Sequence, residues 1–371
     1  MAEQQRSAWQ KLYRKPAAFA AMCLIVVTVV VAVFAYALAP DASPDANRMI
    51  VELGAKKPGF SKQLLLLPRK QLVAPGGNSF WNGGPDAFYY VPINGYFFEP
   101  KGIAVAHFID EGLQDTLRYG FSELLPASLL SAPLEQQQEF IRNERMRQYT
   151  FYLGSDRYGR DILSRLLVGS RVSIAVGFIA VLLSLSIGVF LGSVAGYFGG
   201  AVDSLVMFIV NIFWSVPTLL LVFALTLTLG KGFMEIFVAI GLTMWVGAAR
   251  LIRGQVLVIR EMDYVTAAKA IGASHARIIV RHILPNIAGP LIVIAASNFA
   301  AAILIEAGLS FLGIGIQPPQ PSWGLMIKEH YNFLVANQPM AAIIPGLAIM
   351  LLVYAFNILG NALRDVLDVR T

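Results

Sequence analysis

The sequence contains one cysteine, Cys23, among its 371 residues. A single thiol excludes any disulfide within the chain, so a part that faces an oxidising compartment must fold without that constraint. Cys23 precedes most of an apolar run, whereas the modified cysteine of a lipoprotein would follow one. We therefore interpret it as a small residue that faces lipid or another helix.

Charged side chains are also scarce, because they make up 14% of the residues while hydrophobic residues make up 56%. Soluble domains contain about 25% charged and about 45–50% apolar residues, so this composition argues against a chain that folds in water alone. The formal net charge of +6 raises nucleic-acid binding as an alternative. Because the basic residues lie in loops between apolar runs, orientation in a membrane explains them better than nucleic acid does.

The motifs of common enzymes are missing from the sequence. There is no GxxxxGK[ST] phosphate-binding loop, so we do not expect this chain to hydrolyse ATP, and no GxSxG segment indicates a serine hydrolase. The histidines form no HExxH pair and show no metal-ligand spacing. The sequence therefore predicts no catalytic residue, no metal site and no cofactor.

Long apolar runs predict an all-α polytopic membrane protein with about six transmembrane helices. The first run, 17–39, is too long for the apolar part of a signal peptide, so we expect a retained anchor. A signal-peptidase site at Ala37-Leu38-Ala39 is the alternative. The later runs are 172–195, 204–229, 233–249, 287–305 and 341–359.

Basic residues predict which ends of these helices face the cytoplasm. A basic cluster places residues 1–16 inside, and an even number of spans returns the C-terminus to the same side. The segment 250–285 then lies inside and is rich in arginine, whereas the short outer loops carry Lys231 and Lys328. A group of arginines before the second run would lie outside in this topology, which the charge rule disfavours. These arginines end an outer loop that is too long for the rule to apply. The inner basic residues are Arg6, Lys11, Arg14, Lys15, Arg250, Arg253, Arg260, Lys269, Arg277, Arg281, Arg364 and Arg370, and the group before the second run is Arg157, Arg160, Arg165 and Arg171.

Small residues recur at every fourth position of the second run. Ser184, Gly188, Gly192 and Gly196 therefore share one helix face, where missing side chains let another backbone approach closely. This stripe predicts tight helix packing and carries no information on a substrate.

Pro217 interrupts the third run, where proline removes a backbone donor and bends a helix. The freed carbonyl groups need a neighbouring helix or a water-lined cavity. Asn211, Ser215 and Thr218 lie near the bend and are candidates for a translocation path, and pairing between helices is the alternative.

Residues 40–150 break the apolar pattern and predict an extracytoplasmic, partly β-rich insert. Gly76-Gly77 and Gly83-Gly84 mark turns, and short aromatic runs between and after them indicate strands. Residues 135–148 lack turn formers and are charged throughout, which predicts a polar helix. A compact spacer and a surface that touches a substrate-delivering partner both remain open. The aromatic runs are 80–81, 88–90 and 96–98.

The segment 263–285, DYVTAAKAIGASHARIIVRHILP, is too polar to span a membrane and too regular for a linker. Its alanines suit close contact on a short helix, and Gly272 permits a turn that a side chain would hinder. A second helix follows from Ala273, and we expect Pro285 to stop it where the next span begins. A helix–turn–helix with small residues pointing outward suits a groove on another protein.

This segment resembles the EAA loop of ABC-importer permeases, in which two alanines, a glycine and a Leu-Pro pair recur at fixed spacing. Two departures are Thr266 in place of glutamate and His282 in place of isoleucine. The segments 154–161, GSDRYGRD, and 309–324, LSFLGIGIQPPQPSWG, resemble motifs of oligopeptide and dipeptide permeases. The matching loop positions are Ala267, Ala268, Gly272, Leu284 and Pro285.

The resemblance implies an ABC-importer permease fold that works with a second permease subunit, two ABC ATPase subunits and an extracytoplasmic substrate-binding protein. ATP binding would close the ATPase dimer, and the docked loop would transmit that movement to the spans. Residues 17–39 would be the first transmembrane helix and 151–371 a permease core of five, in a bacterial inner membrane. The expected ATPase-docking residues are Thr266, Ala267, Ala268, Gly272, Ala273, Arg277, Leu284 and Pro285.

Di- or oligopeptides are the substrates that the resemblance favours, and a non-peptide substrate such as nickel stays open. A stand-alone secondary transporter or channel is an alternative from another class, which would need inverted repeats or buried ionisable residues. We interpret Glu306, near the outer edge of the fifth run, as a partner of a neighbouring loop rather than an ion-coupling group. A membrane-anchored enzyme with its active unit at 40–150 lacks a convergent acid–base set.

Overall fold

The computed structural model describes residue 12 and residues 14–69, 79–230, 232–334 and 339–367. These residues form a helical bundle, and a small antiparallel sheet lies in the chain between its first two long helices. The predicted fold class, a helical membrane protein with a partly β-rich insert, is confirmed. Parts of the predicted topology and insert fall outside the described residues, namely Arg6, Lys11, Gly76-Gly77, Lys231 and Arg370.

Within the described ranges, five helical segments are long and apolar enough to cross a membrane, and a bent pair can form a sixth span. The prediction of about six spans is therefore confirmed. In chain order the described helices of eight residues or more are α1 (Pro16–Val33), α2 (Ile162–Phe198), α3 (Gly200–Trp214), α4 (Thr218–Leu229), α5 (Phe233–Ile259), α6 (Asp263–Ala270), α7 (Ala288–Phe311), α8 (Trp323–His330) and α9 (Met340–Leu367).

Several helices extend beyond the apolar runs that predict them. α2 begins at Ile162, and its first turns include Arg165, a buried residue that pairs with Glu329 of α8. α5 continues past Arg250 and Arg253, whose guanidinium groups bind side chains of α3. A charged residue ends an apolar run in the sequence, but it does not end a helix when the charge has a partner. α1 is the opposite case, because it ends at Val33 and a separate turn follows at Ala35–Leu38.

The third run is broken rather than kinked. α3 and α4 meet at an angle of 89°. Pro217 has extended backbone torsions, φ −55° and ψ 127°, and sits immediately before α4. Because its ring excludes the backbone hydrogen bond that would continue α3, the chain starts a new helix in another direction.

The predicted stripe of small residues lies against two helices. A Cβ atom at Gly192 would stand 2.6 Å from the carbonyl oxygen of Ala249 on α5, so only glycine allows this approach. Ser184 lies further along the same face, where its hydroxyl accepts a hydrogen bond of 3.3 Å from Asn298 of α7. The other glycines of the stripe, Gly188 and Gly196, would place a Cβ atom 2.6 and 2.8 Å from α5.

The insert contains a five-stranded antiparallel sheet. Both aromatic runs at 88–90 and 96–98 belong to one strand, whereas 80–81 lies in a helical turn, Ser79–Asn82. The strands are β1 (Phe60–Pro68), β2 (Phe88–Glu99), β3 (Gly102–Asp110), β4 (Leu113–Gly120) and β5 (Met146–Phe151), in the spatial order β4-β3-β2-β1-β5.

The prediction of a polar helix over 135–148 is only partly right. The α-helix covers Leu134–Phe140, a π-helical turn follows at Ile141–Arg145, and β5 begins at Met146. β5 pairs with β1 over its whole length and buries Met146 and Phe151. The backbone hydrogen bonds of this ladder and the buried side chains override the local charge pattern, which by itself favours a helix.

The bundle has two distinct ends. Phe233, at the start of α5, lines a cavity together with Asp45 and Trp81 of the insert, so α5 begins at the insert end. It finishes at the opposite end, where α6 follows, and we call this the loop end. Lys15 Nζ lies 2.7 Å from Asp365 Oδ2, which brings the start of α1 and the last turn of α9 together at one end.

Candidate functional site

The segment between α5 and α7 folds as a helix, a turn and a second helix. α6 ends before Gly272, whose φ of +80° lies in the left-handed region that favours glycine. The Ser274 hydroxyl then accepts the backbone N–H of Arg277 at 3.4 Å and starts the second helix. The turn is therefore where the sequence predicts it.

The expectation that Pro285 stops the second helix is wrong. His275–Ile278 is α-helical, Ile279–Ile283 has π-helical geometry, and Leu284–Ile287 forms a 3₁₀ turn that leads directly into α7. Pro285 stands at the start of this turn, where its missing N–H leaves no helical hydrogen bond unmade. The loop helix and the following span form one helical run from His275 to Phe311.

The loop has an apolar inner face and an exposed outer face. The inner face packs on the loop ends of α2 and α5, through Val265, Ala268, Ile278 and Ile283 against Tyr197, Ile252 and Val256. Ala267 is exposed as expected, whereas Ala268 is only 5% exposed and points inward, because consecutive helical residues face different directions. Of the other expected docking residues, Thr266, Gly272, Arg277 and Pro285 are exposed, and Ala273 and Leu284 are partly buried.

Polar contacts join the loop region to α2 and α3. The Tyr197 hydroxyl lies 2.9 Å from Nδ1 of His275. Arg260 donates from Nη1 to the carbonyl oxygen of Gly196 at 2.8 Å. Arg253 forms a two-point ion pair with Asp203 of α3. Sequence reasoning missed these contacts, since the partners lie far apart in the chain and no spacing rule relates them.

The candidate path residues lie at the break between α3 and α4, and they do not act together. The Asn211 side chain accepts a hydrogen bond of 2.9 Å from Arg250, and the Ser215 hydroxyl donates to the carbonyl oxygen of Ile212 in its own helix. Thr218 lines a cavity of about 390 Å³. The other lining residues include Trp214, Pro217, Thr243, Met244, Gly247 and Ala301.

Residues 154–161 form a buried ionic cluster where the insert meets the bundle. The Asp156 carboxylate accepts the backbone N–H of Arg160 at 3.0 Å and also pairs with its guanidinium group. Arg160 and Arg165 both reach Oε2 of Glu329 on α8, at 2.9 and 3.2 Å. The sequence drew attention to this segment as a motif, but it did not reveal Glu329 as the common partner.

The pKa values of the two aspartates in this segment, Asp156 and Asp161, are shifted in opposite directions. Burial alone would raise the pKa of Asp156, but His330 and Arg160 beside it lower that pKa to about 2. Burial raises the pKa of Asp161 to about 6, with a further contribution from the nearby charge of Asp41. Asp156 therefore stays ionised at neutral pH, while Asp161 titrates close to it.

The cluster has the geometry of an ion-pair network rather than a metal site. Ligand atoms of Asp156, Glu329 and His330 lie within 4.8 Å of one another, close enough to share an ion. However, both carboxylates already contact the buried guanidinium groups of Arg160 and Arg165. A divalent cation would meet two fixed positive charges there, so we assign no metal to these residues.

Glu306 is fully buried near the insert end of α7. Its Oε1 accepts the Ser310 hydroxyl at 2.6 Å, and that hydroxyl accepts the backbone N–H of Ile316 at 3.1 Å. The carboxyl group thus holds the loop after α7 through Ser310, in agreement with the interpretation as a partner of a neighbouring loop.

Known proteins resemble most of the bundle. The family model "Binding-protein-dependent transport system inner membrane component" matches residues 188–371, and "N-terminal TM domain of oligopeptide transport permease C" matches residues 4–53. The dipeptide transport system permease protein DppC of Bacillus subtilis is 43% identical over 217 residues, which are 58% of this chain and 68% of that protein. The glutathione transport system permease protein GsiD of Pectobacterium atrosepticum is 42% identical over 58% of this chain and 72% of its own length.

Among solved structures, an inward-facing form of the MetNI methionine ABC transporter covers 54% of this chain and 96% of its own, with 22% identity. Its TM-score of 0.42 is too low for this likeness to carry weight. The match to the family model and the identity to DppC are sufficient to assign the family. This chain belongs to the family of binding-protein-dependent transport system inner membrane components, which are multi-pass permease subunits of ABC transporters and not their ATPases.

Proposed function

We propose that this chain forms half of the membrane path of an ATP-driven importer for di- or oligopeptides and leaves ATP hydrolysis to a separate subunit. The relatives named for dipeptides and for glutathione support a short peptide as substrate. The match of residues 4–53 to the first segment of an oligopeptide permease supports the same class.

The two-faced loop is the observation that carries this proposal. Its inner face is fixed to α2 and α5 by apolar packing, while Thr266, Ala267 and Gly272 stay exposed. Ile271 is 84% exposed, which is unusual for a large apolar side chain that has no partner to cover it. An ABC ATPase subunit docked on this face would push on a helical run that continues into α7.

The proposed assembly contains a second permease subunit, two ATPase subunits and an extracytoplasmic binding protein. We place the loop end of the bundle and both chain termini in the cytoplasm, and residues 40–150 outside. The contact between Lys15 and Asp365 supports a common side for the two termini, and the arginines around the loop favour the cytoplasm. The break between α3 and α4, with its cavity beside Thr218, is the segment we propose to line the path.

Gly272 provides the test of docking. A Cβ atom there would meet nothing within 4 Å in this chain, so a side chain at this position projects towards the partner. Gly272→Glu should abolish co-purification of the ATPase subunit while the chain still inserts into the membrane. Gly272→Asn is the matched control, because asparagine tolerates the left-handed backbone and adds no charge; it should retain association. Retained association in Gly272→Glu would refute the docking assignment.

The substrate class is tested separately, by uptake into cells that carry the whole transporter. Uptake of a labelled dipeptide should require the ATPase and should be unchanged by excess Ni²⁺. Competition by Ni²⁺ would favour the nickel alternative instead. Ion-driven uptake by the purified chain without an ATPase would contradict the importer proposal as a whole.

A further inference from the structure

A second cavity, of about 660 Å³, lies where the insert meets α1 and α2. It is at the insert end of the bundle and shares no lining residue with the cavity at the α3–α4 break. One wall is an apolar cleft between two membrane-spanning helices, formed by Val29, Ala32 and Val33 of α1 and Val172, Ala175 and Phe178 of α2. The other side is polar and aromatic and contains Tyr36, Asp45, Trp81 and Arg171, and we call it the mouth of the cavity.

Arg171 brings a positive charge to this mouth without an acidic partner. Its guanidinium carbon lies 5.2 Å from the ring centre of Tyr36 and 5.0 Å from that of Trp81, and Nη1 donates to the Trp81 carbonyl oxygen at 2.6 Å. The aromatic rings and this hydrogen bond fix the guanidinium group in place. Among the described residues, no carboxylate forms an ion pair with Arg171. Neighbouring arginines at this end differ, since Arg48, Arg160 and Arg165 each pair with aspartate or glutamate.

Asp45 brings a negative charge to the same mouth. Its backbone N–H donates to the Tyr36 hydroxyl at 3.1 Å, which sets the residue beside the aromatic group. Burial raises the pKa of Asp45, and the positive charge of Arg165 only partly opposes this effect. Within the part of the chain that the structure describes, no cation forms an ion pair with it. A cationic group bound beside Asp45 would offset the cost of burying its charge.

We propose that this cavity binds one glycerophospholipid with an amine-bearing, zwitterionic headgroup of the phosphatidylethanolamine type. The phosphate lies on Arg171, the ammonium group lies on Asp45, and an acyl chain lies in the cleft between α1 and α2.

The position and shape of the cavity select this occupant. Because α1 and α2 span the membrane, their exposed apolar faces are in contact with lipid wherever protein does not cover them. Tryptophan, tyrosine and arginine at the mouth are the residues that mark the boundary between hydrocarbon and headgroups. A fixed guanidinium group recognises phosphate through several donors, and a carboxylate recognises a primary ammonium group. A bound lipid would also join the insert to the bundle, because Asp45 and Trp81 come from one and the cleft from the other.

Native mass spectrometry of the full-length chain in detergent tests the proposal, with dioleoyl phosphatidylethanolamine and dioleoyl phosphatidylglycerol as probes. The wild-type chain should retain one phosphatidylethanolamine. Arg171→Gln should weaken the binding of both lipids at least tenfold, because both have a phosphate. Asp45→Asn should weaken phosphatidylethanolamine to a similar degree and leave phosphatidylglycerol unchanged, since that lipid has no amine.

Arg157→Gln is the matched control. Arg157 is an exposed arginine at the same end of the bundle that stacks on Tyr158 and does not line the cavity. It should bind both lipids as the wild type does. Equal binding by Arg171→Gln and Arg157→Gln would overturn the proposal.

A photo-crosslinking residue at position 175 identifies the occupant inside the assembled transporter. Its adduct should have the mass of a phospholipid. An adduct to the second permease subunit would show that protein covers the cleft, and it would also overturn the proposal. Neither result depends on which substrate the transporter carries, so this test can fail while the proposed function stands.

Discussion

Tyr197, at the loop end of α2, and His275, at the start of the second loop helix, share a hydrogen bond of 2.9 Å between the phenol oxygen and Nδ1. Their ring centres lie 5.6 Å apart, and Lys269 Nζ of α6 lies 5.5 Å from the centre of the tyrosine ring. One phenol thus contacts both helices of the loop. In the proposed importer, a displacement of the loop reaches α2 through this contact, in addition to α7 through the continuous helix.

Tyr197→Phe removes the hydrogen bond and keeps the ring. A hydrogen bond contributes about 0.5–1.5 kcal/mol net, and a bond that is made in only one of the conformations of the transport cycle changes uptake by up to roughly 2- to 12-fold, so we expect a fall within that range. Co-purification of the ATPase subunit should be unchanged, because the exposed face of the loop is untouched. Tyr264→Phe, at an exposed tyrosine of the same loop, is the control and should leave uptake unchanged. Equal uptake by the wild type and Tyr197→Phe would show that the bond has no part in transport.

Gly192→Val should destabilise the bundle. The new Cβ atom would stand 2.6 Å from the carbonyl oxygen of Ala249, so α2 and α5 must move apart, and overpacking of this kind costs about 1–3 kcal/mol. A lower midpoint of thermal unfolding in detergent would record the loss. Gly247→Ala on α5 is the control, because its added Cβ atom would meet no neighbouring helix or side chain within 4 Å. If both variants unfold at the wild-type temperature, the glycine stripe does not set the helix packing.

Glu329→Gln should destabilise the chain strongly. Glu329 is the shared partner of Arg160 and Arg165, which are 2% and 0% exposed, so its loss leaves buried guanidinium groups with too little compensating charge. Removing one member of a buried pair costs about 3–5 kcal/mol.

The control for Glu329→Gln is Glu99→Gln. Glu99 pairs with Arg118, whose side chain is 68% exposed, and surface pairs contribute about 0–1 kcal/mol. Thermal unfolding of both variants gives the comparison. Similar small losses in the two variants would contradict the importance of the buried cluster.

Asp161 should make stability depend on pH. Its pKa is about 6 in the folded chain against an ordinary value of 3.8, so folding favours its protonated form. This contribution is fully present below about pH 4 and is lost as the pH rises through 6. Lowering the pH from 7 to 5 should therefore stabilise the chain through this group by on the order of 1 kcal/mol.

Asp161→Asn removes that titration and keeps a residue type that can cap α2. Thermal unfolding midpoints at pH 5 and pH 7 should differ less in the variant than in the wild type. An equal pH response in the two proteins would assign the effect to other groups.

Local chemistry explains why some features could be predicted and others could not. The turn at Gly272 was predictable because a positive φ strongly favours glycine, and an interruption at Pro217 because proline lacks a donor, although the expected bend is a complete break of 89°. Pro285 misled the prediction, since a proline is harmless where a new helical turn begins. Whether the helix continues through Pro285 depends on the preceding π-helical turn, which no residue pattern predicts.

Pairings between distant residues could not be predicted from one sequence. Glu329 and Arg165, or Tyr197 and His275, acquire their roles only when the chain brings them together. The same limit explains β5, where pairing with β1 determines the structure of residues that favour a helix by themselves. Burial of Ala268 beside exposed Ala267 depends on the rotation of α6 about its axis, which the neighbouring cluster of apolar side chains sets.

The chain enters the sheet at the start of β1 and leaves it at the end of β5, and these two points are adjacent. Phe60 and Phe151 are directly opposed partners at the end of β1 and β5, and the N–H groups of Gly59 and Gly154 both donate to the Phe151 carbonyl oxygen, at 2.8 and 3.1 Å. The sheet therefore leaves and rejoins the rest of the chain at nearly the same point in space. A short turn across that gap could replace the sheet without stretching its neighbours, so we expect residues 60–151 to be removable as a unit.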